Sequence, residues 1–169
     1  MQPDEIRKKK VKTPEQALAA LMRLCARAEK SQEDARRLMR GWGLAERDAK
    51  GVLAKLVRDR FIDDARYAGA FVREKLRLSG WGEYKIRTAL QRKRIDRALI
   101  DAALAEADRS GMDERLRQLE RKARTAKYTT QYELKTKLIR YGLSLGYDYE
   151  TVVEAASGLV TDTETCDEF

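Results

Sequence analysis

The sequence predicts an all-α protein: three tandem three-helix repeats forming an elongated, curved array. Three observations lead there. Only two prolines interrupt 169 residues rich in Ala, Leu, Arg, Lys, Glu and Gln, and nothing alternates convincingly at period two. Between helix-start signals, apolar side chains recur three or four residues apart. A ten-residue pattern then repeats at a period of about 50 residues, the size of a three-helix unit. A unit that short buries little apolar surface by itself, so neighbouring units must stack.

The elements follow in order. Thr13-Pro14-Glu15-Gln16 offers an N-cap, a proline at the first helical position and a capping-box glutamine, opening a helix near 14–29 with Leu18, Leu21, Leu24 and Cys25 on one stripe. Ser31-Gln32-Glu33-Asp34 starts a second near 32–41, its acids suited to the helix dipole. Val52, Leu53 and Leu56 mark a third near 45–59. Asp63 caps a fourth near 64–78, with Ile62 and Tyr67 placed as a hydrophobic staple. Helices near 83–93 and 97–107 follow, the latter capped by Asp96. Leu116, Leu119 and Ala123 pattern a helix near 112–126. Thr130-Gln131-Tyr132-Glu133 reads as a capping box for 131–141, and Asp148 precedes the last helix, 149–157.

The middle helices share one template. "ARRLMRGWGL" (35–44), "IRTALQRKRI" (86–95) and "LKTKLIRYGL" (134–143) each carry apolar residues four apart and end on an aliphatic: Leu44, Ile95 and Leu143. Gly43 and Gly142 then share the position just past a helix end, where a left-handed residue closes the helix; Arg94 fills it in the middle copy, so either the helix ends differently there or Arg94 itself accepts the left-handed conformation. The expected division is a basic arm at 1–12, repeats at 13–62, 63–110 and 111–157, and an acidic tail at 158–169. Gly-Trp-Gly occurs twice, at 41–43 and 80–82, but at different places in the repeat, and neither copy continues into a Gly-Lys-Ser/Thr phosphate loop. Gly80 and Gly82 instead let one helix stop and another begin within a few residues.

Charge narrows the function. The net charge is +8, yet residues 1–147 hold all 36 bases against 21 acids, a net of +15. Such a surplus favours a polyanionic partner. No long apolar run points to a membrane, two distant cysteines fit a reducing cytoplasm, and the basic N-terminus lacks the apolar segment of a signal peptide. There is no histidine, so neither an imidazole base nor a zinc site is expected, and no cofactor. Asp63-Asp64 reads as a cap and a first-turn acid rather than a magnesium pair.

From Arg60 to Leu104 the sequence resembles the RecX family of bacterial RecA regulators. The resemblance rests on Phe61-Ile62-Asp63-Asp64, Tyr67-Ala68, Phe71-Val72, Gly80-Trp81-Gly82, Lys85-Ile86-Arg87, Leu90 and Ile95. It implies tandem three-helix repeats and a non-enzymatic regulator that lies along the groove of the RecA nucleoprotein filament. There it restrains strand exchange and the co-protease signal. Where the family pattern often has Lys-Gly-Ile, this chain has Lys93-Arg94-Ile95.

The candidate contact residues are bases repeated on the middle helices. They are Arg36, Arg37 and Arg40; Lys85, Arg87, Arg92, Lys93 and Arg94; and Lys135, Lys137 and Arg140. Arg73, Lys75 and Arg77 end the preceding helix beside the second Gly-Trp-Gly. On the helix near 83–93, Arg87 and Arg94 fall on one flank and Lys85 and Arg92 on the other. Trp42, Trp81, Tyr84, Tyr128 and Tyr132 are of a type that stacks on bases, but the two tryptophans are assigned to helix junctions. The expected partners are the RecA filament and single-stranded and double-stranded DNA, bound by a monomer. An autonomous helical DNA-binding protein is the alternative.

Overall fold

The computed structural model describes residues 11–108 and 112–160, with backbone alone for 112–116. The arm before Val11, the tail after Val160 and the Leu116 side chain lie outside the described residues. The helices are α1 (Pro14–Arg27), α2 (Gln32–Gly41), α3 (Glu46–Arg58), α4 (Asp64–Arg77), α5 (Glu83–Arg92), α6 (Arg97–Ala105), α7 (Met112–Thr125), α8 (Gln131–Ser144) and α9 (Tyr149–Leu159). No strand occurs among the described residues.

Caps explain most of the starts. Thr13 and Gln16 form a reciprocal capping box, as do Ser31 and Asp34. Asp63 accepts from the Arg66 N–H, and Asp148 from the Thr151 N–H. Two expectations fail. Asp96 makes no side-chain cap bond. At Thr130 the cap forms, but the Glu133 carboxylate turns to the Thr129 N–H and hydroxyl instead of reaching back to Thr130. Removing a working cap carries a modest cost: Asp63→Ala is expected to lose about 1 kcal/mol in a denaturant titration, because the Arg66 N–H is left without its acceptor.

Helix ends carry the repeat more clearly than helix starts do. Left-handed residues occur at Gly43 (φ 76°), Arg94 (φ 54°) and Gly146 (φ 91°), and also at Arg60 (φ 60°) after α3. Each is followed by an apolar residue whose N–H returns to a carbonyl five residues back: Leu44 to Met39, Phe61 to Leu56, Ile95 to Leu90, and Tyr147 to Gly142. This is the Schellman closure.

It corrects the third copy of the template by one helical turn. Gly142 does not close α8; it lies buried inside it, where an added Cβ would meet the Val152 side chain at 2.7 Å. Gly146 closes the helix, and Tyr147, not Leu143, is the counterpart of Leu44 and Ile95; Leu143 is 43% exposed. The physical reason is that the α8 backbone continues a further turn so that the small Gly142 can admit α9.

Arg94 adopts the left-handed conformation that L side chains resist. Arg94→Gly is therefore expected to raise the melting temperature, by up to ~1 kcal/mol of stability. A fall would mean that its contact with Glu33, at 3.9 Å, outweighs the backbone strain.

Each trio of helices closes its own core. Leu21, Ala35, Met39, Val52, Leu53, Leu56 and Ile62 make the first. Tyr67, Ala68, Val72, Ile86, Leu90, Ile95, Ile100 and Leu104 make the second. Leu119, Leu134, Leu138, Ala156 and Val160 make the third, with Leu145, Tyr147 and Val152 beside it. The principal helix packing lies within each trio.

The units join head to tail through their middle helices. The turn ending α5 meets the start of α2, and the turn ending α8 meets the start of α5. At the second joint the Gly82 N–H donates to the Leu145 carbonyl (2.7 Å) and the Tyr84 N–H to the Gly146 carbonyl (3.1 Å). That is why α5 has no side-chain N-cap: a neighbouring unit's carbonyls satisfy its orphan donors. The Tyr147 hydroxyl donates to the Gly80 carbonyl at 2.9 Å. The second Gly-Trp-Gly is thus an inter-unit joint as well as a helix break.

Candidate partner-binding surface

The structure distributes the fourteen candidate bases over very different environments. Arg36, Arg37 and Arg40 lie on the outer face of α2, each in an ion pair with Glu33 or Asp34 at 3.2–3.7 Å. At such exposure these pairs contribute little, about 0–1 kcal/mol each, but they offset the local positive charge. Arg87 is held by Asp101 (2.5 Å) and Glu83 (3.1 Å) and is only 26% exposed. Lys137 pairs with Glu133 and donates to the Lys127 carbonyl, each at 2.6 Å.

Lys93 is the clearest departure from expectation. Its ammonium bonds the Asp34 carboxylate of α2, across the joint between the first and second units. Arg94, 74% exposed, approaches Glu33 on the same helix. Since α5 ends at Arg92, Arg94 does not share a helical flank with Arg87 as the spacing implied. Burial pushes the Asp34 carboxyl up, but bonds from Lys93 and Ser31 together outweigh it and hold it below the usual range.

The depressed value gives Asp34 a stabilising contribution present above the ordinary carboxylate pKa and lost as pH falls through the folded one. Asp64, held up by burial despite bonds from Gln32, works in the opposite sense. In thermal melts taken downward from neutrality, Lys93→Met should therefore lose less stability than the unsubstituted chain below about pH 4. Parallel acid limbs would contradict the assignment.

Of the remaining bases four are open, whereas Lys75, 22% exposed, bonds Glu74 at 3.1 Å. Arg73, Arg77, Arg92 and Arg140 are exposed and form no ion pair with another described residue. Lys135 is half-buried. Lys75 and Lys85 share the Trp81 ring, their ammonium groups 5.1 and 4.5 Å from its centroid, and Trp81 meets Phe71 edge-on at 6.3 Å. Both tryptophans sit at helix junctions, Trp42 beneath Lys12 (5.3 Å) at the end of α2.

Lys85 and Arg92 come together on one groove of about 380 Å³, lined also by Trp81, Tyr84, Thr88, Ala89, Leu143 and Ser144. No carboxylate lines it, whereas the larger cleft beyond Tyr84, about 480 Å³, mixes Glu83 and Asp148 with Arg87 and Arg97. Tyr84 stands 65% exposed between the two.

The one-turn correction to α8 also breaks the strict repetition of charge. Lys137 becomes the counterpart of Lys85, while Leu143 stands where α2 has Arg40. The repeated basic stripe is therefore strongest on α2 and α5. Sequence reasoning missed the Lys93–Asp34 link, because nothing local marks a contact 59 residues apart. Gly146-Tyr147, by contrast, was findable as a glycine–apolar pair like Gly43-Leu44.

Asp63 caps α4, and Asp64 accepts from the Gln32 N–H and side chain at 2.9 and 3.2 Å. Among the described residues no cluster of Cys, Asp and Glu is arranged to hold a metal, and no helix is long and apolar enough to cross a membrane.

Residues 63–104, from the Asp63 cap to the end of the second core, match the family model described as RecX, second three-helix domain. That stretch is similar to the second domain of RecX proteins. The wider comparisons agree with the resemblance read from Arg60 to Leu104. Regulatory protein RecX of Vibrio campbellii is 28% identical over 138 residues, spanning 82% of this chain and 88% of that one. Regulatory protein RecX of Clostridium botulinum is 33% identical over 95 residues, 54% of this chain, but the match spans only 44% of that protein. The crystal structure of RecX from Lactobacillus salivarius superposes with a TM-score of 0.71 at 19% identity, covering 86% of this chain and 96% of that one. A second crystal structure of a regulatory protein RecX gives 0.76 at 20% identity, covering 86% and 73%. The fold is that of the RecX structures, and the chain is similar to regulatory proteins of that family.

Proposed function

We propose that this chain is a non-enzymatic regulator of RecA. It binds the RecA–single-stranded DNA filament as a monomer in the cytoplasm and restrains recombinase and co-protease activity. The observation that carries the reading is the unneutralised positive charge of the RecX-type unit. Arg73 and Arg77 stand exposed on α4 and Arg92 on α5, where Arg92 and Lys85 line a groove that contains two cations and no carboxylate. Arg140 extends the surface onto α8. Arg36, Arg37 and Arg40 join at lower strength, since the acids of α2 already pair with them. Lys93 and Arg87 act as internal struts. The units 13–62, 63–110 and 111–157 serve as the modules that place these cations along an extended polyanion.

Binding by many exposed charges should weaken steeply with salt. The test is fluorescence anisotropy of a labelled single strand, bare or coated with RecA, titrated with the protein at low and raised salt. Saturation on the coated strand at concentrations that leave the bare strand free supports filament recognition. Equal affinity for both would mean that the chain is an autonomous DNA-binding protein.

A further inference from the structure

The groove between α5 and the turn after α8 suits an acidic occupant with an apolar anchor. Lys85 and Arg92 supply two cations that form no ion pair with a described residue, and no carboxylate lines the groove. Trp81, Tyr84, Ala89 and Leu143 make an apolar wall beside them, with Tyr84 65% and Leu143 43% exposed. A stripe on α8 leads into it. Tyr132, Thr136, Arg140 and Ser144 follow one another four apart and share a helix face, and Ser144 lines the groove. Tyr132 and Arg140 are exposed, and Arg140 also pairs with no described acid.

The far end of that stripe lies where the acidic tail begins. Val160, the last described residue, is buried in one cluster with Leu134 from the start of α8. The 11 residues of α9 put Val160 about one helix length, ~17 Å, from the turn at Gly146 that borders the groove. Residues 161–169 carry the acids Asp162, Glu164, Asp167 and Glu168, no base, and one large apolar residue, Phe169. Fully extended, that segment spans ~30 Å, enough to return along α8 to the groove.

We propose that residues 161–169 dock in this groove within the same chain. Their acids meet Arg140, Arg92 and Lys85, and Phe169 enters beside Tyr84 and Leu143. A tethered segment competes at an effective concentration of about millimolar. Other basic positions already hold acids: Glu33 and Asp34 pair with the bases of α2, and Glu83 and Asp148 line the larger cleft. The docked tail covers cations assigned above to a polyanionic partner. Its effect on binding therefore rests on that reading, whereas the docking itself does not.

The test attaches a nitroxide to Cys166, within the tail, in the full chain carrying Cys25→Ala. The amide signals of Thr88, Ala89 and Ser144 are expected to lose most of their intensity, while those of Val52 and Leu56 in the first core keep theirs. Asp162→Asn/Glu164→Gln/Asp167→Asn/Glu168→Gln, with the same label, should restore the groove signals. Equal intensities with and without the tail acids overturn the docking, as does broadening centred on Arg121 and Arg124 of α7. So does broadening that appears only when labelled chain is mixed with an isotope-enriched Cys166→Ser chain, which would mean capture by a second copy.

Affinity for a labelled single strand of DNA, with both cysteines in place, gives the second readout. Neutralising the tail should tighten binding roughly threefold, as for a groove free about a third of the time. The gain should vanish when Lys85→Gln/Arg92→Gln is added. A gain that survives those substitutions reflects bulk charge and overturns the competition. A strand that neither chain binds would refute the polyanion reading instead, and the nitroxide data then decide the docking alone.

Discussion

Leu90→Ala is expected to cost about 2–5 kcal/mol, well beyond the loss of a helix cap. Leu90 is fully buried at the centre of the second core, among Ile86, Ile95 and Ile100, all themselves 0–5% exposed. Truncation removes its transfer energy and leaves a cavity that α4, α5 and α6 can only partly close. Denaturant unfolding followed by circular dichroism measures the loss. Leu143→Ala is the informative companion. The ten-residue pattern equates Leu143 with Ile95, a core position, but at 43% exposure it should cost less than about 0.5 kcal/mol. Comparable losses from the two would restore the uncorrected register and refute the one-turn shift of α8.

Gly82→Ala should lower stability by about 1–3 kcal/mol, although it adds only a methyl group. The new Cβ would stand 2.3 Å from the Gly146 carbonyl carbon and oxygen and 2.5 Å from the Tyr147 nitrogen, all backbone atoms with no side-chain freedom to yield. Relief requires the third unit to back away, stretching the Gly82 and Tyr84 hydrogen bonds together. Hydrogen exchange at the Tyr84 amide reads that separation directly: it should accelerate in the variant, whereas amides of the first core stay protected. Gly51→Ala supplies the contrast, since its Cβ would meet nothing within 4 Å in the interior of α3. It should stabilise by roughly 0.5–1 kcal/mol through helix propensity. A Gly82→Ala chain as stable as its parent would mean that the joint is looser than the geometry shows.

The limits of the sequence follow the range of the interactions. Helix existence and type were legible because caps and apolar spacing act within a turn or two, and every helix was found to within a few residues at its ends. For Arg94 the analogy with Gly43 left two possibilities, a different helix end or a left-handed arginine, and the structure takes the second (φ 54°). Alignment of the third copy slipped because Leu134 and Leu138 imitate the apolar pair of the other copies, while Gly142 conceals a core position behind the absence of a side chain. The joints were not legible. Lys93 reads as one more exposed base on a basic helix, and only the approach of the turn after α5 to the start of α2 turns it towards Asp34. Composition identifies a surplus of positive charge, but not which carboxylates offset it: Glu33 and Asp34 pair with the bases of their own helix, and Asp34 also reaches Lys93, 59 residues away.

The central claim is that the exposed cations of the middle unit bring this chain onto RecA filaments. It is tested most directly by RecA ATPase on single-stranded DNA, with the protein and its Arg73→Glu/Arg77→Glu/Arg92→Glu variant added at substoichiometric amounts and low salt. The account predicts inhibition by the parent chain and its loss, at unchanged helix content, in the variant. Undiminished inhibition by the variant, or none by the parent, would contradict it.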